Sequence, residues 1–416
     1  MKIFFVPNRE EMRGNMENKK SVIMVPFHDY KKWLKEGFRT RDAHLFEHFK
    51  VNPEIEQILV VNRPVSIAEM LLKRMSWKTK VGKKITGGKH WILTQIDEKS
   101  YCIDFFVPEF WKVAKQRKNW WNTVFEKPEI LEAIREAIQF LNMKNTVLLL
   151  QNPMAVGVVH NLGEDAFIFD AIDNWLYHPQ MQQNRETVEK NYDFIMKEAD
   201  AIFTVSESLK EFFQKGNKRV YWIANGVDKE YFRESWITDT EKRKNATIGY
   251  IGKIQDRVDF DLIEECLKKY QEHTFFIAGP IYSQKDRVKQ IKEKYTNIRF
   301  LGDIHYRDLP KAVKEMDITI VPHKVDAFTN SMNPLKIYEY LASGKQIVTT
   351  PVAGIESFHD YVYEASSKEE FIVAIKRAIE IYEKTENIAE KVAETLEDKH
   401  LWEAKVDEMI KIMQEI

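Results

Sequence analysis

A strand–loop–helix–strand pattern near the carboxyl end constrains the fold more than any other stretch of this sequence. The apolar residues 318–321 predict one strand, and residues 346–350 predict a second. Between them, Pro334 is expected to open a helix that runs from Leu335 to about Ser343, because Gly344 follows as a natural stop. Alternation of this kind is typical of a parallel sheet covered by helices. The sequence therefore predicts an α/β protein.

The beginning of this predicted helix carries residues that suit a sugar nucleotide. A helix N-terminus presents unbonded N–H groups and a positive dipole end, which favour a phosphate. Lys336 adds a positive charge in the first turn, and Glu339, about one turn later, is within reach of a sugar hydroxyl. A solvated helix face with an ordinary Lys–Glu pair explains the same two residues, so the pattern by itself leaves both interpretations open.

Residues 331–358 resemble the nucleotide-sugar signature of retaining glycosyltransferases of the GT-B fold, the family-4 type. They are most similar to a bacterial branch that makes teichuronic acid and exopolysaccharide, in which the motif is approximately Pro-Leu-Lys-x-Tyr-Glu-Tyr-Leu-Ala-x-Gly-Lys. This sequence has that motif from Pro334 to Lys345. The resemblance implies that Glu339 holds the nucleotide ribose. The first glutamate of the family motif is replaced by Ser331, so no carboxylate is expected from that position at the transferred sugar.

The resemblance also implies an architecture of two doubly wound Rossmann-like domains facing across a cleft. A chain of 416 residues is long enough for two domains. We expect an acceptor-binding domain over residues 1–235, a nucleotide-sugar-binding domain over 246–400, and a last helix, 401–416, that crosses back to the first domain. The tetrapeptide Asn-Gly-Val-Asp at 225–228 marks the end of the first domain in this family, and the polar residues 229–245 are predicted to form a linker.

A second loop is expected to contact the donor. The predicted strand 247–251 is followed by Gly252, which lets a ligand approach the backbone, and Lys253 and Arg257 offer positive charge to a diphosphate. The loop also matches the phosphate loop of the family. Together with the helix motif, it gives a predicted donor-binding set of Gly252, Lys253, Arg257, Gly279, Ser331, Asn333, Pro334, Leu335, Lys336 and Glu339.

An acceptor site is predicted near the beginning of the chain. A predicted strand at 21–27 leads into a predicted loop at 28–37 and a helix at 38–49. Gly37 would let the backbone approach a ligand, and Arg39 and Arg41 could meet an anion. Two ordinary arginines at a solvated helix start are an equal alternative. The same Glu-Gly-Phe-Arg-Thr-Arg-Asp string in the resembled branch favours a site.

Two carboxylates follow the predicted strand 166–169. Asp170 and Asp173 are expected in a loop at the carboxyl end of that strand, where open α/β sheets bind ligands. The resembled branch has this Asp-x-x-Asp where the wider family has a histidine. The two aspartates are therefore assigned to catalysis and Trp175, in the same loop, to acceptor binding. Aspartates that cap a loop are the alternative.

Residues 73–118 interleave basic side chains with tryptophans. Such a stretch could rest on an anionic membrane or a lipid-linked acceptor, or it could stack on single-stranded nucleic acid. A charged hairpin whose tryptophans belong to the core explains the pattern equally well. A net charge of −1 argues against a general nucleic-acid binder, so no nucleic acid is predicted as a partner. Peripheral membrane contact is retained as a hypothesis.

No metal site or cofactor is predicted. Cys102 and Cys266 are far apart and form no CxxC pair, so neither a disulfide framework nor a zinc site is indicated. Fixed positive side chains are expected to serve where a metal would otherwise bridge the phosphates. The opening segment has too short an apolar run for a signal peptide or a spanning helix, and the expected location is cytoplasmic, at the inner face of the plasma membrane if lipid is bound.

These expectations combine into one reaction. A hexose is transferred from a nucleotide-diphosphate sugar, for which UDP is the expected nucleotide, to a hydroxyl of a cell-surface polysaccharide or lipid-linked glycan precursor, with retention of anomeric configuration. Two alternatives remain. A sugar-nucleotide epimerase of the same fold would need no acceptor, and a non-catalytic carbohydrate-binding scaffold is favoured by Ser331 in place of the motif glutamate.

Overall fold

A computed structural model describes residues 19–416. The expectations about residues 1–18, including the lack of a signal peptide, lie outside the described residues. The chain forms two compact units. The first unit contains the described residues up to Thr204 together with Leu209–Trp222 and Val406–Ile416, and the second contains Val205–Ser208 and Ile223–Lys405.

The first unit is built on a mixed sheet. Its strands are β1 Lys20–Val25, β2 Ile55–Val61, β3 Val65–Ser66, β4 Lys83–Gly87, β5 Trp91–Gln95, β6 Ser100–Val107, β7 Thr146–Leu150, β8 Ala166–Ala171, β9 Ala201–Thr204 and β10 Val220–Trp222. They run in the order β10-β9-β8-β7-β1-β2-β6-β5-β4, with β3 beside β6. The pairs β4–β5 and β5–β6 are antiparallel and the others are parallel. The central strands are buried, which suits their continuous apolar sequences.

Helices of this unit connect its parallel strands. They are α1 Tyr30–Glu36, α2 Arg41–Val51, α3 Ile67–Lys73, α4 Trp111–Gln116, α5 Asn119–Val124, α6 Pro128–Phe140, α7 Arg185–Glu198 and α8 Glu207–Phe213, of which Glu207 and Ser208 belong to the second unit. The prediction of a loop over residues 28–37 is wrong. Asp29 accepts a hydrogen bond from the Lys32 N–H at the start of α1, and Gly37 ends the helix with a φ of 81°. This short helix of seven residues lacks the longer periodicity that would have revealed it.

The second unit contains a fully parallel sheet. Its strands are β11 Thr247–Ile251, β12 Thr274–Ala278, β13 Ile298–Gly302, β14 Ile318–Val321, β15 Gln346–Thr349 and β16 Val362–Glu364. They run in the order β13-β12-β11-β14-β15-β16. The helices are α9 Phe260–Lys269, α10 Lys285–Lys294, α11 Leu309–Lys314, α12 Leu335–Ala342, α13 Lys368–Lys384 and α14 Ile388–Ala393. This strand order reverses its winding between β11 and β14, which is where such sheets bind ligands.

The predicted linker at 229–245 is an ordered part of the second unit. It contains the 3-10 helices Lys229–Ser235 and Asp239–Glu241. Phe232 is fully buried, and the Trp236 Nε1–H donates to the Ala342 carbonyl at 2.8 Å. The polar composition of this segment gave no sign of its ordered structure, because a few buried aromatic side chains are enough to hold so short a segment in place.

The last helix, α15, spans Trp402–Glu415. Its beginning, up to Lys405, belongs to the second unit, where Leu401 pairs with Val227 in an isolated β-bridge. The remainder belongs to the first unit, in which Asp407 accepts a hydrogen bond from Asn52 Nδ2 at 2.9 Å. Across residues 19–416, no helix is both long enough and apolar enough to cross a membrane.

Candidate functional site

The second unit brings its two predicted motifs together at the carboxyl ends of β11 and β14. Gly252 follows β11, and its N–H donates to the Ala278 carbonyl of β12 at 2.9 Å. A Cβ on Gly252 would lie 3.2 Å from Lys336 Cε of α12 and 2.7 Å from the Tyr250 hydroxyl. The Gly252 loop and the first turn of α12 are therefore in contact, although Gly252 and Lys336 are 84 positions apart in the sequence.

Gly279 completes this close backbone approach. Its φ is +137°, and a Cβ at this position would lie 1.9 Å from the Gly252 carbonyl oxygen and 3.4 Å from the Lys253 nitrogen. Its own N–H donates to the Gly302 carbonyl at 2.6 Å. No other residue type fits both the space and the backbone conformation, so glycine at 279 fixes the shape of the loop after β11.

Positive charge is concentrated at this point. Lys336 has a pKa lowered to about 7, mainly because its amine is buried and then because Arg257 and Lys253 are also positive, while Glu339 acts in the opposite direction. Its Nζ lies 5.3 Å from the centroid of the Tyr250 ring. Lys253, Arg257 and Lys336 are partly buried, and groups of like charge held close together in such surroundings are costly unless an anion joins them. The arrangement is suited to a ligand with two phosphates.

His323 belongs to the same cluster and was missed by the sequence analysis. It is buried just after β14, and its Nε2 lies 3.3 Å from the Tyr250 hydroxyl. Burial, followed by the charges of Lys336 and Arg257, holds the pKa of His323 well below its ordinary value. Its position directly after a predicted strand and proline was the available signal, because ligands bind beyond the carboxyl ends of such strands.

The start of α12 is fixed by Asn333. The helix begins at Leu335, as predicted, and Pro334 lies directly before it with φ −71° and ψ 122°. The Asn333 side chain accepts a hydrogen bond from the Asn225 N–H at 2.8 Å and donates one to the Tyr338 hydroxyl at 3.0 Å. Asn333 therefore ties the helix start, with Leu335 as its first residue, to the 225–228 tetrapeptide.

Ser331 precedes α12 in the sequence, and Glu339 lies within this helix. Ser331 is buried, its hydroxyl donates to the Phe328 carbonyl at 2.8 Å, and its own carbonyl accepts a hydrogen bond from the Ser206 hydroxyl at 2.9 Å. After burial, the charge of Glu339 is the largest cause of the raised pKa of Tyr306. Tyr306 stacks on Tyr231 with ring centroids 5.2 Å apart. This aromatic pair was not predicted, because Tyr231 lies in the segment interpreted as a linker.

In the first unit, Arg41 and Asp170 form a buried ion pair. Asp170 lies inside β8 rather than in the loop after it, and it is fully buried. Arg41 Nε and Nη2 lie 3.1 Å and 2.9 Å from Asp170 Oδ1, and Gln151 Nε2 donates to Oδ2 at 2.8 Å. The sequence suggested Arg41 and Asp170 for separate tasks. The structure joins them.

The remaining residues of the predicted acceptor site each contact different neighbours. Arg39 Nε lies 3.0 Å from the Glu36 carboxylate, and Gly37 provides the turn between α1 and α2. Trp175 is buried, with its ring 4.0 Å from that of Phe27 by centroid distance. The backbone carbonyl of Asp173 accepts a hydrogen bond from the Tyr192 hydroxyl at 3.4 Å. In the described part of the chain, no group of three or more His, Cys, Asp or Glu side chains is arranged to hold a metal ion.

Comparisons with known proteins agree with this architecture. Residues 245–397 match the model of the family described as glycosyl transferases group 1. A curated protein of Bacillus subtilis (strain 168), the putative teichuronic acid biosynthesis glycosyltransferase TuaH, is 29% identical over 215 residues, with 48% of this chain and 54% of the relative covered. The alignment thus spans about half the length of that curated relative.

Two solved structures illustrate the likeness of fold. HepE from Anabaena, in complex with UDP and glucose, superposes with a TM-score of 0.62 at 13% identity, covering 95% of this chain and 99% of the other. The catalytic domain of starch synthase IV from Arabidopsis thaliana, bound to ADP and acarbose, gives 0.63 at 11% identity, covering 96% and 100%. The chain therefore has the GT-B fold, and within it residues 245–397 are similar to the glycosyl transferases group 1 family.

Proposed function

We propose that this protein is a retaining glycosyltransferase that moves a hexose from a UDP-sugar to an acceptor hydroxyl. The observation that carries the proposal is the concentration of positive charge at the winding reversal of the second sheet, where Lys336 and Arg257 act on each other beside the glycine contact of residues 252 and 279. A diphosphate supplies the missing negative charge. HepE, which binds UDP and glucose, supports UDP as the nucleotide.

In the proposed reaction, the bond from the anomeric carbon to the diphosphate oxygen breaks and a bond from that carbon to the acceptor oxygen forms. The acceptor proton leaves with the released UDP. The leaving diphosphate gains negative charge as the sugar gains oxocarbenium character, so fixed positive groups beside the phosphates stabilise the transition state. Lys253, Arg257, Lys336 and the N–H groups at the start of α12 would supply this stabilisation, with no bridging metal assigned to the step. Glu339 would hold the ribose hydroxyls.

The acceptor is proposed to be a cell-surface polysaccharide or a lipid-linked glycan precursor. The supporting observation is the similarity to TuaH, whose name places it in teichuronic acid biosynthesis. In the first unit, Arg39 and Asp173 are proposed to contact this acceptor, whereas the buried Asp170 is proposed to orient Arg41. Such an acceptor would bring the protein to the inner face of the plasma membrane.

The first experiment is a thermal-shift comparison with UDP-, dTDP- and GDP-sugars. A ligand that binds the folded protein raises its melting temperature by mass action. We expect UDP-sugars to stabilise the wild type, and the shift to disappear in Glu339→Ala and Arg257→Ala but to persist in the control Lys289→Ala, which removes an exposed charge of the same unit. No shift with any sugar nucleotide would contradict the proposed donor site.

Retention is tested separately by NMR. The slow hydrolysis of a UDP-α-sugar, with water as the acceptor, should first release the α-anomer of the free sugar. Initial release of the β-anomer would refute retention. Donor binding without turnover in any acceptor mixture would favour the non-catalytic scaffold instead.

A further inference from the structure

Three large apolar side chains of the first unit are exposed on two neighbouring helices. Leu71 and Leu72, at the end of α3, are 67% and 74% exposed, and Trp111, at the start of α4, is 80% exposed. α3 and α4 are in contact with each other. Among the large apolar side chains of residues 19–416, Trp111 is the most exposed. Side chains of this size are usually exposed singly, so a group of three indicates a binding surface.

Basic side chains surround this group. From Leu71 to Trp91 the sequence contains seven lysines or arginines and no aspartate or glutamate, in a chain whose net charge is −1. Lys73 and Lys112 lie next to the apolar side chains and are themselves 66% and 69% exposed. We call the surface formed by Leu71, Leu72, Trp111, Lys73, Arg74 and Lys112 the docking patch.

Neighbouring groups indicate a positive potential beside the docking patch. The pKa of Lys118 is lowered to about 8, first by burial and then by the positive charges of Lys32 and Lys73. Two carboxylates reach the patch, and each is shared by two cations: Glu69 pairs with Arg63 and with Lys73, and Glu109 pairs with Lys127 and with Lys112. Arg74 and the second cation at each carboxylate leave the positive charge in excess. The patch therefore presents apolar groups and excess positive charge to the same partner.

We propose that the docking patch binds the anionic surface of a lipid bilayer. Leucine and tryptophan side chains enter the boundary between headgroups and acyl chains, and lysines and arginines remain among the lipid phosphates. Single-stranded nucleic acid fits less well, because it requires several aromatic stacking faces and Leu71 and Leu72 provide none. The proposal does not depend on the glycosyltransferase activity.

Vesicle flotation tests the docking patch. The full chain should float with vesicles of phosphatidylcholine and phosphatidylglycerol but not with phosphatidylcholine alone, and added salt should weaken the binding. Replacing the apolar groups in Leu71→Ser/Leu72→Ser/Trp111→Ser, or the charges in Lys73→Gln/Arg74→Gln/Lys112→Gln, should each reduce bound protein by about tenfold or more.

The matched control is Val51→Ser/Phe140→Ser, which removes two other exposed apolar side chains of the first unit, 73% and 56% exposed, and should float like the wild type. Circular dichroism and the melting temperature, compared with those of the wild type, report whether each variant is folded. Flotation of both patch variants at wild-type levels would overturn the proposal, as would equal binding to neutral vesicles. Binding to a single-stranded RNA oligomer that is lost in these variants, without binding to vesicles, would also overturn it.

Discussion

Arg41 and Asp170, 129 residues apart in the sequence, form a buried pair in which the guanidinium contacts both carboxylate oxygens. Gln151 Nε2 also donates a hydrogen bond to Asp170 Oδ2. A buried carboxylate that accepts these hydrogen bonds has little room left to contact a sugar. The pair joins the chain after β1 to β8, at the carboxyl ends of the central strands, and so fixes the geometry of this edge of the sheet.

The first prediction concerns the role of Asp170. Asp170→Asn should lower the free energy of unfolding of the first unit by about 3–5 kcal/mol, because it removes the buried charge that accepts the hydrogen bonds of the Arg41 guanidinium. The double variant Arg41→Met/Asp170→Leu should lose less than this, since it removes both charges. Urea unfolding measures the differences.

Asp173→Asn is the comparison. Asp173 is only partly buried, and we expect a stability loss below about 1 kcal/mol together with slower sugar transfer. If Asp170→Asn were instead as stable as the wild type but inactive, the Asp170 carboxylate would act in the reaction itself.

The second prediction is that UDP binding takes up a proton through Lys336. The pKa of this amine is about 7 in the folded protein because of its burial and of Arg257, so at about pH 8 it is mostly neutral. A bound diphosphate favours the charged amine and raises its pKa. Affinity for UDP should therefore fall as the pH rises above about 7.

Titration calorimetry at about pH 8 in two buffers of different ionisation enthalpy measures this proton uptake. We expect the wild type to approach one proton per UDP. Lys336→Arg, which stays charged, should show almost none. Equal uptake in both proteins would assign the proton to another group, for which the neighbour His323 is the candidate.

The third prediction uses Lys345, which is buried at the end of α12. Its amine has no hydrogen-bond partner among the described residues, and burial lowers its pKa to about 7 although Asp317 acts in the opposite direction. Between about pH 7 and the unfolded value of about 10.4, the unfolded chain binds a proton that the folded chain does not, so stability rises with pH in this window.

Lys345→Met should therefore stabilise the second unit by about 1–4 kcal/mol near pH 7, and its advantage should disappear as the pH approaches 10. The control Lys311→Met removes an exposed amine and should change neither stability nor its pH dependence. Denaturant unfolding across this pH range provides the measurement. A destabilised Lys345→Met protein would show that the Asp317 interaction outweighs the cost of burying the amine.

Local signals predicted most of the fold but not its long-range pairings. Strands β7 and β11 begin and end at the predicted residues, because each is a short apolar run between clear breaks. Asp170 was expected in a loop, although its buried partner Arg41 allows it to lie inside β8. A charged residue argues against a buried strand only until its counter-charge is known, and that counter-charge is far away in sequence.

In the candidate site too, the sequence indicated individual residues but not the contacts between residues that are distant in the sequence. Gly252 and Lys336 were predicted to share a donor site because of the family resemblance, but their contact depends on β11 lying next to β14, which periodicity does not reveal. His323 and Tyr231 had no motif. They matter only because folding places one beside Tyr250 and the other against Tyr306.

The fourth prediction tests the contact of Glu339 with the ribose. The wild type should bind 2′,3′-dideoxy-UDP roughly 10- to 100-fold more weakly than UDP, because hydrogen bonds to a charged group contribute about 1.5–3 kcal/mol. Glu339→Gln should bind UDP more weakly and discriminate little between the two nucleotides. Glu364→Gln, which changes an exposed carboxylate of the same unit, should discriminate as the wild type does. Full discrimination in Glu339→Gln, measured by calorimetry, would move the ribose contact to another residue.

The fifth prediction compares two glycines that both have positive φ. At Gly279, a Cβ would lie 1.9 Å from the Gly252 carbonyl oxygen, whereas at Gly302, with a φ of +76°, no heavy atom lies within 4 Å of a Cβ. Gly302→Ala should therefore show only the backbone cost of about 1–2 kcal/mol, with UDP binding retained.

Gly279→Ala adds a steric clash with backbone to that cost, so the Gly252 loop must move away from Lys336. We expect a larger loss of stability in urea and the loss of the UDP-induced thermal shift, because the backbone and the charged side chains would no longer face the same ligand. Wild-type UDP binding by Gly279→Ala would contradict this account, since the loop after β11 would then tolerate a different shape without losing the nucleotide.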